Sequence, residues 1–436
     1  MTPPRSSLEM VEQCLARICD ADGEGARAFV AVYSDKAQIV ARASDVLREN
    51  GYVASPIAGL PVSIKDLLDV GGEITRAGSR ALDDASPAVR DAPVVQRLKS
   101  AGAVLVGRTN MTPFAYSLVG LNAQFGTPAN PWDRNRIPGG SSSGAAVSVA
   151  DGMAMAAIGS DTVGSIRVPA AFCGVVGFKP TQHRVPREGS IPLSITLDCL
   201  GPLANSVSDC VAVFEVIAGE TAPAFEPEGV TGMRLAIPEG PFLDGLDHQV
   251  ATAFDRAVRR LAEAGALVVE KRISSLTQAL ASEGTRIIQS VGAYAWHAEL
   301  LGRRGDDYDV QIRTRIENGR HVSASEYAAM LARRGELISA FDRELGTIDA
   351  LMLPTSPIIA PTFSEALAQE DVVRARLLRN TAPFNFLDCC AISLPIHEFG
   401  EAPVGLTLAG RQGSDWQLLA LASAVEATLS GFREGH

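Results

Sequence analysis

The sequence predicts an α/β protein with one large mixed, mostly parallel β-sheet core covered by helices on both faces. Three observations carry this. Strand-like apolar runs alternate with stretches of helical period, which implies crossover connections and strands buried on both sides. The 436 residues carry 46% hydrophobic side chains, enough for a large core. No repeat, low-complexity linker or long Pro/Gly hinge divides the chain, so a single domain over 1–436 is expected.

The elements follow in order. Ser6-x-x-Glu9 can form a capping box ahead of a helix with Leu8, Val11, Leu15 and Ile18 on one face. Residues 61–66 read as an extended segment. Pro93 to Lys99 reads as a helix that Gly102 ends, and Ala103-Val104-Leu105-Val106 follows as a buried strand. Met155 to Ile158 is a strand, and so is Arg234-Leu235-Ala236-Ile237. Asp247 caps a helix reaching Ala264, and Gly265 stops it before the strand Ala266-Leu267-Val268-Val269. From Ser274 to Leu345 the pattern is helical, with no strand signal until 349–353. A helical cover over about 274–345 is therefore expected on a core drawn from about 55–220 and 347–436.

Charge and composition remove several classes of function. The formal net charge is −11 and no Lys/Arg run could form a phosphate-binding stripe, which argues against nucleic acid as a partner. No run of about 18 apolar residues occurs, and the N-terminus lacks the order of a secretory signal. No membrane association is expected. Seven cysteines at irregular spacing (14, 19, 173, 199, 210, 389, 390) suit a reducing, cytoplasmic compartment. The six histidines are scattered, with no Cys-x-x-Cys or His-x-x-x-His, so neither a metal nor another cofactor is expected.

Chemistry concentrates in two serine turns and a lysine. Ser141 lies in Gly139-Gly140-Ser141-Ser142-Ser143-Gly144, Ser165 in Asp161-Thr162-Val163-Gly164-Ser165-Ile166-Arg167, and Lys65 in Pro61-Val62-Ser63-Ile64-Lys65-Asp66. Glycine-flanked serines on tight turns bring backbone close to a substrate and aim successive N–H groups at a developing negative charge. A lysine can serve as their base if burial lowers its pKa, and the apolar neighbours Val62, Ile64, Leu67 and Leu68 favour burial. The set suggests acyl transfer by a serine nucleophile without imidazole. A flexible surface loop is the bland reading of 139–144. The small-residue helix that follows, Ala145-Ala146-Val147-Ser148-Val149-Ala150, makes the run a helix N-terminus instead. Gly140-x-Ser142-x-Gly144 also matches a nucleophile elbow, but none of His183, His248, His297, His321, His397 and His436 sits in a recognisable motif to complete it.

These residues resemble the amidase signature family, whose members share a lysine, a serine held at a cis peptide bond and a nucleophilic serine. The Gly-Gly-Ser-Ser run, the 24-residue offset from Ser141 to Ser165 and the segments 165–170 and 172–181 all match. Weaker similarity includes Asn130-Pro131-Trp132 and Pro403-Val404-Gly405-Leu406. The resemblance implies the amidase signature fold and an amidohydrolase. Ser165 is then the nucleophile, Ser141 a proton relay at a cis Gly140–Ser141 bond, and Lys65 the base. The N–H groups of Thr162, Val163, Gly164 and Ser165 become the oxyanion hole. The segment 115–122 resembles the loop over the acyl-binding site, which places Ala115 and Tyr116, with Ser141, against substrate. Its small and apolar residues point to a mostly uncharged amide. Asp161 and Arg167 are read as a charge pair supporting the turn, with an Arg167 carboxylate site as the alternative.

Two departures stand out. Val163 occupies a position where relatives commonly have glycine, so its backbone must be ordinary or strained. Asp388-Cys389-Cys390 replaces a glycine- and proline-bearing pattern, with the cysteines read as core packing. The expected partner is a small-molecule amide, and a homodimer is compatible with the reading. The rivals are a glutaminase subunit of a tRNA-dependent amidotransferase, a biuret- or allophanate-type urea-derivative hydrolase, and a non-catalytic scaffold.

Overall fold

Eleven strands make one sheet in the computed structural model, which describes residues 6–223 and 229–430. The first six are β1 (Phe29–Val32), β2 (Pro61–Lys65), β3 (Val104–Thr109), β4 (Ala156–Asp161), β5 (Val176–Lys179) and β6 (Cys199–Ala204). The rest are β7 (Arg234–Pro238), β8 (Leu267–Lys271), β9 (Ala350–Pro354), β10 (Ala391–Pro395) and β11 (Gly405–Ala409). Their order across the sheet is β1-β3-β2-β4-β6-β5-β10-β11-β9-β7-β8.

The sheet is mixed, as expected, but not mostly parallel. Among the described residues, parallel pairing is confined to β3–β2–β4 and β9–β7–β8, and the other neighbours run antiparallel. Connections explain the difference. The helix Pro93–Ser100 precedes β3, and the helix His248–Glu263 joins β7 to β8, so those strands return in the same sense. No α-helix lies between β5 and β6 or between β10 and β11, and a strand without a crossover helix comes back antiparallel. The sheet also takes in β1, β7 and β8, which lie outside the expected core boundaries.

The local readings hold within a residue or two, except that β3 and β4 run three further. The Ser6–Glu9 capping box is formed, and Val11, Leu15 and Ile18 of the helix Ser7–Ile18 are buried. Asp247 stands at the N-cap of His248–Glu263 but makes no side-chain cap. Its carboxylate is drawn instead to the Ile359 N–H at 3.2 Å and to Arg376 at 3.3 Å. The stretch from 274 to 345 is formed mainly by the helices Ser274–Ala281, Gly284–Arg304, Val310–Glu317 and Ala324–Leu345. Leu276, Ile288, Leu337 and Phe341 from this cover pack with Leu351, Leu353, Phe384 and Phe386. Among the described residues no helix is long and apolar enough to cross a membrane.

Two features position the chemistry. β2 is buried along its whole length and carries Lys65 at its C-terminal end. The helix Ser143–Ala150 packs so closely that a Cβ on Gly144 would lie 2.3 Å from Ala28 O and 2.8 Å from Asn110 N. Gly144→Ala should therefore destabilise the fold by roughly 1–3 kcal/mol through overpacking. Gly335 lies inside the helix Ala324–Leu345, and a Cβ there would have nothing within 4 Å. Gly335→Ala should add about 0.8–1.0 kcal/mol. Denaturant unfolding of both variants tests the contrast, and equal signs would contradict it.

Candidate active site

Lys65 is buried completely. Its Nζ donates to Ser141 Oγ at 2.7 Å, Ser160 Oγ at 2.8 Å and Ser142 Oγ at 2.9 Å, so three hydroxyls take the three protons of an ammonium. Loss of solvent pushes its pKa down to about 7, against the opposing fields of Asp161 and Asp198. A lysine so placed exchanges its proton near neutral pH.

Ser141 reaches Lys65 because the glycine run is threaded tightly. A Cβ on Gly140 would sit 2.6 Å from Gly120 Cα, and the Gly140 N–H donates to Leu118 O at 2.7 Å. The Gly140–Ser141 peptide is cis, as the resemblance implied. The Ser142 N–H donates to Ser165 O at 3.2 Å, which ties the two serine turns together. Ser142 Oγ donates to Ser160 O at 3.2 Å and bonds Lys65; none of its bonds is to a histidine. His297 faces Tyr308 at 2.8 Å and His397 packs on Trp132, while His436 lies outside the described residues.

The second turn wraps a single carboxylate. Asp161 Oδ1 accepts from the Gly164 N–H at 2.7 Å, Asn385 Nδ2 at 2.9 Å and Arg167 Nη2 at 3.1 Å. Oδ2 accepts from the Ile166 N–H and from Arg167 Nε, both at 3.1 Å. Burial alone would push this carboxyl up, but the Arg167 guanidinium and these bonds hold it well below the usual carboxylate range. Arg167 Nη2 also reaches Asn385 Oδ1 at 2.6 Å and Thr381 O at 3.2 Å. The guanidinium is thus engaged with the turn and its neighbours.

Of the four expected oxyanion donors, one is spent. The Gly164 N–H belongs to Asp161. The N–H groups of Thr162, Val163 and Ser165 make no hydrogen bond to a described residue. Gly164 itself sits at φ 133°, and a Cβ there would lie 2.4 Å from Thr381 Oγ1. Val163 has no positive φ, so its departure from glycine brings no backbone strain. It is buried against Leu118, Val119 and Phe172, and its carbonyl accepts from Thr381 Oγ1 at 2.6 Å. Ser165 Oγ is buried and has no hydrogen-bond partner. The expected chain of contacts therefore runs from Lys65 to Ser141 and stops short of Ser165.

Ala115 adopts φ 60° and lines a narrow cavity with Ser160, Thr162, Leu193 and Asp198. The Tyr116 hydroxyl is pushed up to about 12 by burial, although Arg374, Arg315 and Arg286 all pull it down. A mostly uncharged amide is expected from the small and apolar residues of this loop, and the structure sets three arginines close enough to act on its tyrosine. At the other departure, Asp388 adopts the left-handed conformation (φ 52°) that a glycine would take, one Asp tolerates. Its carboxylate accepts from the Gln182 N–H at 2.9 Å and Gln412 Nε2 at 2.7 Å, and both cysteines after it are buried.

The family model described as Amidase matches residues 9–419. The chain belongs to the amidase signature family. Members hydrolyse carbon–nitrogen bonds of amides, and this amidase-family enzyme shares their large mixed sheet. It is 36% identical to 2-amino-5-chloromuconic acid deaminase of Comamonas testosteroni, over 92% of this chain and 87% of the relative. It is 35% identical to a glutamyl-tRNA(Gln) amidotransferase subunit of Symbiobacterium thermophilum, over 97% and 93% of the two chains. A solved amidase structure superposes with a TM-score of 0.88 at 34% identity, covering 98% of this chain and 96% of that one.

Sequence reading missed Ser160 as a partner of Lys65, along with Asn385 and Thr381 behind the turn. Ser160 lies 95 residues from Lys65, and Asn385 lies 224 from Asp161, so no local pattern marks them. Arg167→Met should destabilise this amidase-family enzyme by ~3–5 kcal/mol, because it strands the Asp161 carboxylate in the interior; thermal unfolding measures it. Lys65 gives a pH test. Its folded value near 7 lies below the unfolded 10.5, so both states hold the proton below pH 7 and only the unfolded state holds it between 7 and 10.5. Wild-type stability relative to Lys65→Met should therefore rise from pH 7 toward 10, and a flat difference would contradict the burial argument.

Proposed function

We propose that the enzyme hydrolyses a carboxylic amide to an acid plus ammonia or an amine, with Ser165 as nucleophile, Ser141 as proton relay and Lys65 as base. The observation that carries this reading is the 2.7 Å contact from Lys65 Nζ to Ser141 Oγ, made by a lysine whose burial places its pKa near 7. Neutral Lys65 accepts the Ser141 proton as Ser141 takes that of Ser165. Ser165 Oγ attacks the amide carbonyl, and the unengaged N–H groups of Thr162, Val163 and Ser165 face the charge that develops on oxygen. Gly164 is left out of that set because its N–H holds Asp161.

Collapse of the tetrahedral species breaks the C–N bond, and the proton returns through Ser141 to the leaving nitrogen. The acyl group stays on Ser165 until water, losing its proton along the same path, releases the acid and restores the serine. Ser165 Oγ is free of competing hydrogen bonds, which leaves its lone pairs available to the carbonyl. Asp161 and Arg167 act by holding the turn, not by touching substrate. The unpaired state of all seven cysteines supports a reducing cytoplasm as the compartment.

Similarity to a deaminase supports release of ammonia. A second reading, a glutamine-hydrolysing component of an amidotransferase, is favoured by similarity to glutamyl-tRNA(Gln) amidotransferase subunits and uses the same three residues. The purified chain alone, without partner or tRNA, should release ammonia from simple amides; ammonia release only on adding such a complex would favour the second reading.

Ser165→Ala should abolish hydrolysis while the protein stays folded, and a fluorophosphonate should label Ser165 in the wild type. A label on Ser142 would overturn the assignment. kcat/KM should fall as pH drops below about 7, because protonated Lys65 cannot accept a proton. A profile that stays level from pH 8 to 5 would exclude Lys65 as the base.

A further inference from the structure

A cavity of about 560 Å³ opens beside the nucleophile turn, with Arg286, Arg374, Arg379, Leu378, Ala382 and Pro383 among its lining. Ala382 directly follows Thr381, whose hydroxyl donates to Val163 O at 2.6 Å and against which Gly164 packs. One segment, 381–383, therefore both lines the cavity and packs against the turn bearing Ser165. The same arginines reach Tyr116: Arg374, Arg315 and Arg286 all act on its hydroxyl, and Arg315 Nη1 donates to its carbonyl at 3.4 Å.

Charge here is out of balance. The whole chain has a net charge of −11, yet the charged lining consists of three arginines and one acid, Glu283, which Arg286 already holds. The acids that act on Arg374 are Asp371 and Glu370. Both are engaged by Arg315, at 2.9 Å each. The Arg374 side chain makes no hydrogen bond or ion pair to a described residue; its interactions there are long-range ones. Arg379 spends Nε on Asn380 Oδ1 at 3.2 Å and leaves Nη2 buried with no partner. Burial first, and the Arg315 charge second, pull the Arg374 guanidinium below its ordinary value, so an arriving anion would relieve both. Part-buried and without a direct counterion, this cation is left available to an arriving anion. Its two-pronged donor set matches a carboxylate.

We propose that this cavity binds a carboxylate of the substrate through Arg374, with Arg286 and Arg379 adding positive field, so that the amide cleaved at Ser165 is one carrying a free carboxylate. The inference rests on the reading of Ser165 as nucleophile. It narrows the substrate class to monoamides of dicarboxylic acids and related anionic amides. The small and apolar residues of 115–122 then contact the hydrocarbon between the two ends.

Matched pairs test this. Ammonia release is measured from succinamate, glutaramate and adipamate and from the methyl ester of each, which removes the charge at nearly constant size. For at least one pair the acid should exceed the ester in kcat/KM by roughly tenfold or more, the worth of a lost charge pair. Arg374→Gln should collapse that ratio toward one by raising KM for the acid with little change in kcat, and Arg374→Lys should restore part of it. Binding gives a second readout: succinate, glutarate or adipate should raise the Tm of the wild type and not that of Arg374→Gln. Because Arg374 lacks a counterion in the free protein, Arg374→Gln should itself unfold at a temperature no lower than the wild type.

Equal rates on acid and ester, or a ratio unchanged in Arg374→Gln, would overturn the carboxylate site while leaving Ser165 as nucleophile. A lower Tm for Arg374→Gln with an unchanged response to the dicarboxylates would assign Arg374 a structural role instead. Absence of ammonia from every substrate together with absence of a fluorophosphonate label on Ser165 would remove the underlying hydrolase reading as well.

Discussion

One buried carboxylate organises this site. Asp161 closes β4, and its two oxygens gather N–H groups from Gly164, Ile166, Arg167 and Asn385. A carboxylate in the interior is tolerable only if its lone pairs and charge are satisfied, and here the chain folds its next six residues around it to do so. Arg167 neutralises the charge and in the same stroke begins the helix Arg167–Cys173. The shape of the turn, the three N–H groups left without a partner and the position of Ser165 all follow from that demand. The pair's value lies in geometry more than in net stability, since a buried ion pair seldom repays its own desolvation.

Lys65 is governed by the opposite logic. It has no carboxylate in contact, only hydroxyls, so its charge is solvated weakly and burial dominates. Asp161 and Asp198 oppose that effect from further away, and the balance leaves the group close to neutrality at physiological pH. Had either acid moved into contact, the ammonium form would be fixed. Asp198 is held off by other donors: Thr162 Oγ1 at 2.6 Å and the N–H groups of Leu193 and Ser194, each at 2.9 Å. Asp161 is held off by Arg167. Both acids are thus committed elsewhere, and the lysine is left with neutral partners.

The departures from the family pattern are absorbed without backbone strain at Val163 and with a left-handed residue at Asp388. Val163 keeps an ordinary backbone and fills the apolar cluster of Leu118, Val168 and Phe172. Asp388 takes over the left-handed position and turns its carboxylate into a clamp on Gln182 and Gln412. Around Tyr116 the small and apolar residues of 115–122 meet arginines supplied by helices far along the chain, Gly284–Arg304, Val310–Glu317 and Glu370–Arg379.

The sequence by itself determined the strand and helix signals, the buried setting of Lys65 and the spacing of two serine turns, because each is written in contiguous residues. Capping boxes, glycine stops and apolar periods act over a few positions and are read directly. It did not determine the antiparallel centre of the sheet, since strand direction depends on which distant strands become neighbours. Nor could it show that the Gly164 N–H is taken by Asp161, that Ser160 shares Lys65 with Ser141, or that Arg374 stands without a counterion. Those facts belong to the tertiary structure alone: each depends on which of several competing partners, tens or hundreds of residues apart, the packed interior brings within 3 Å, and hydrogen bonds and charges in a dry interior are decided by that proximity.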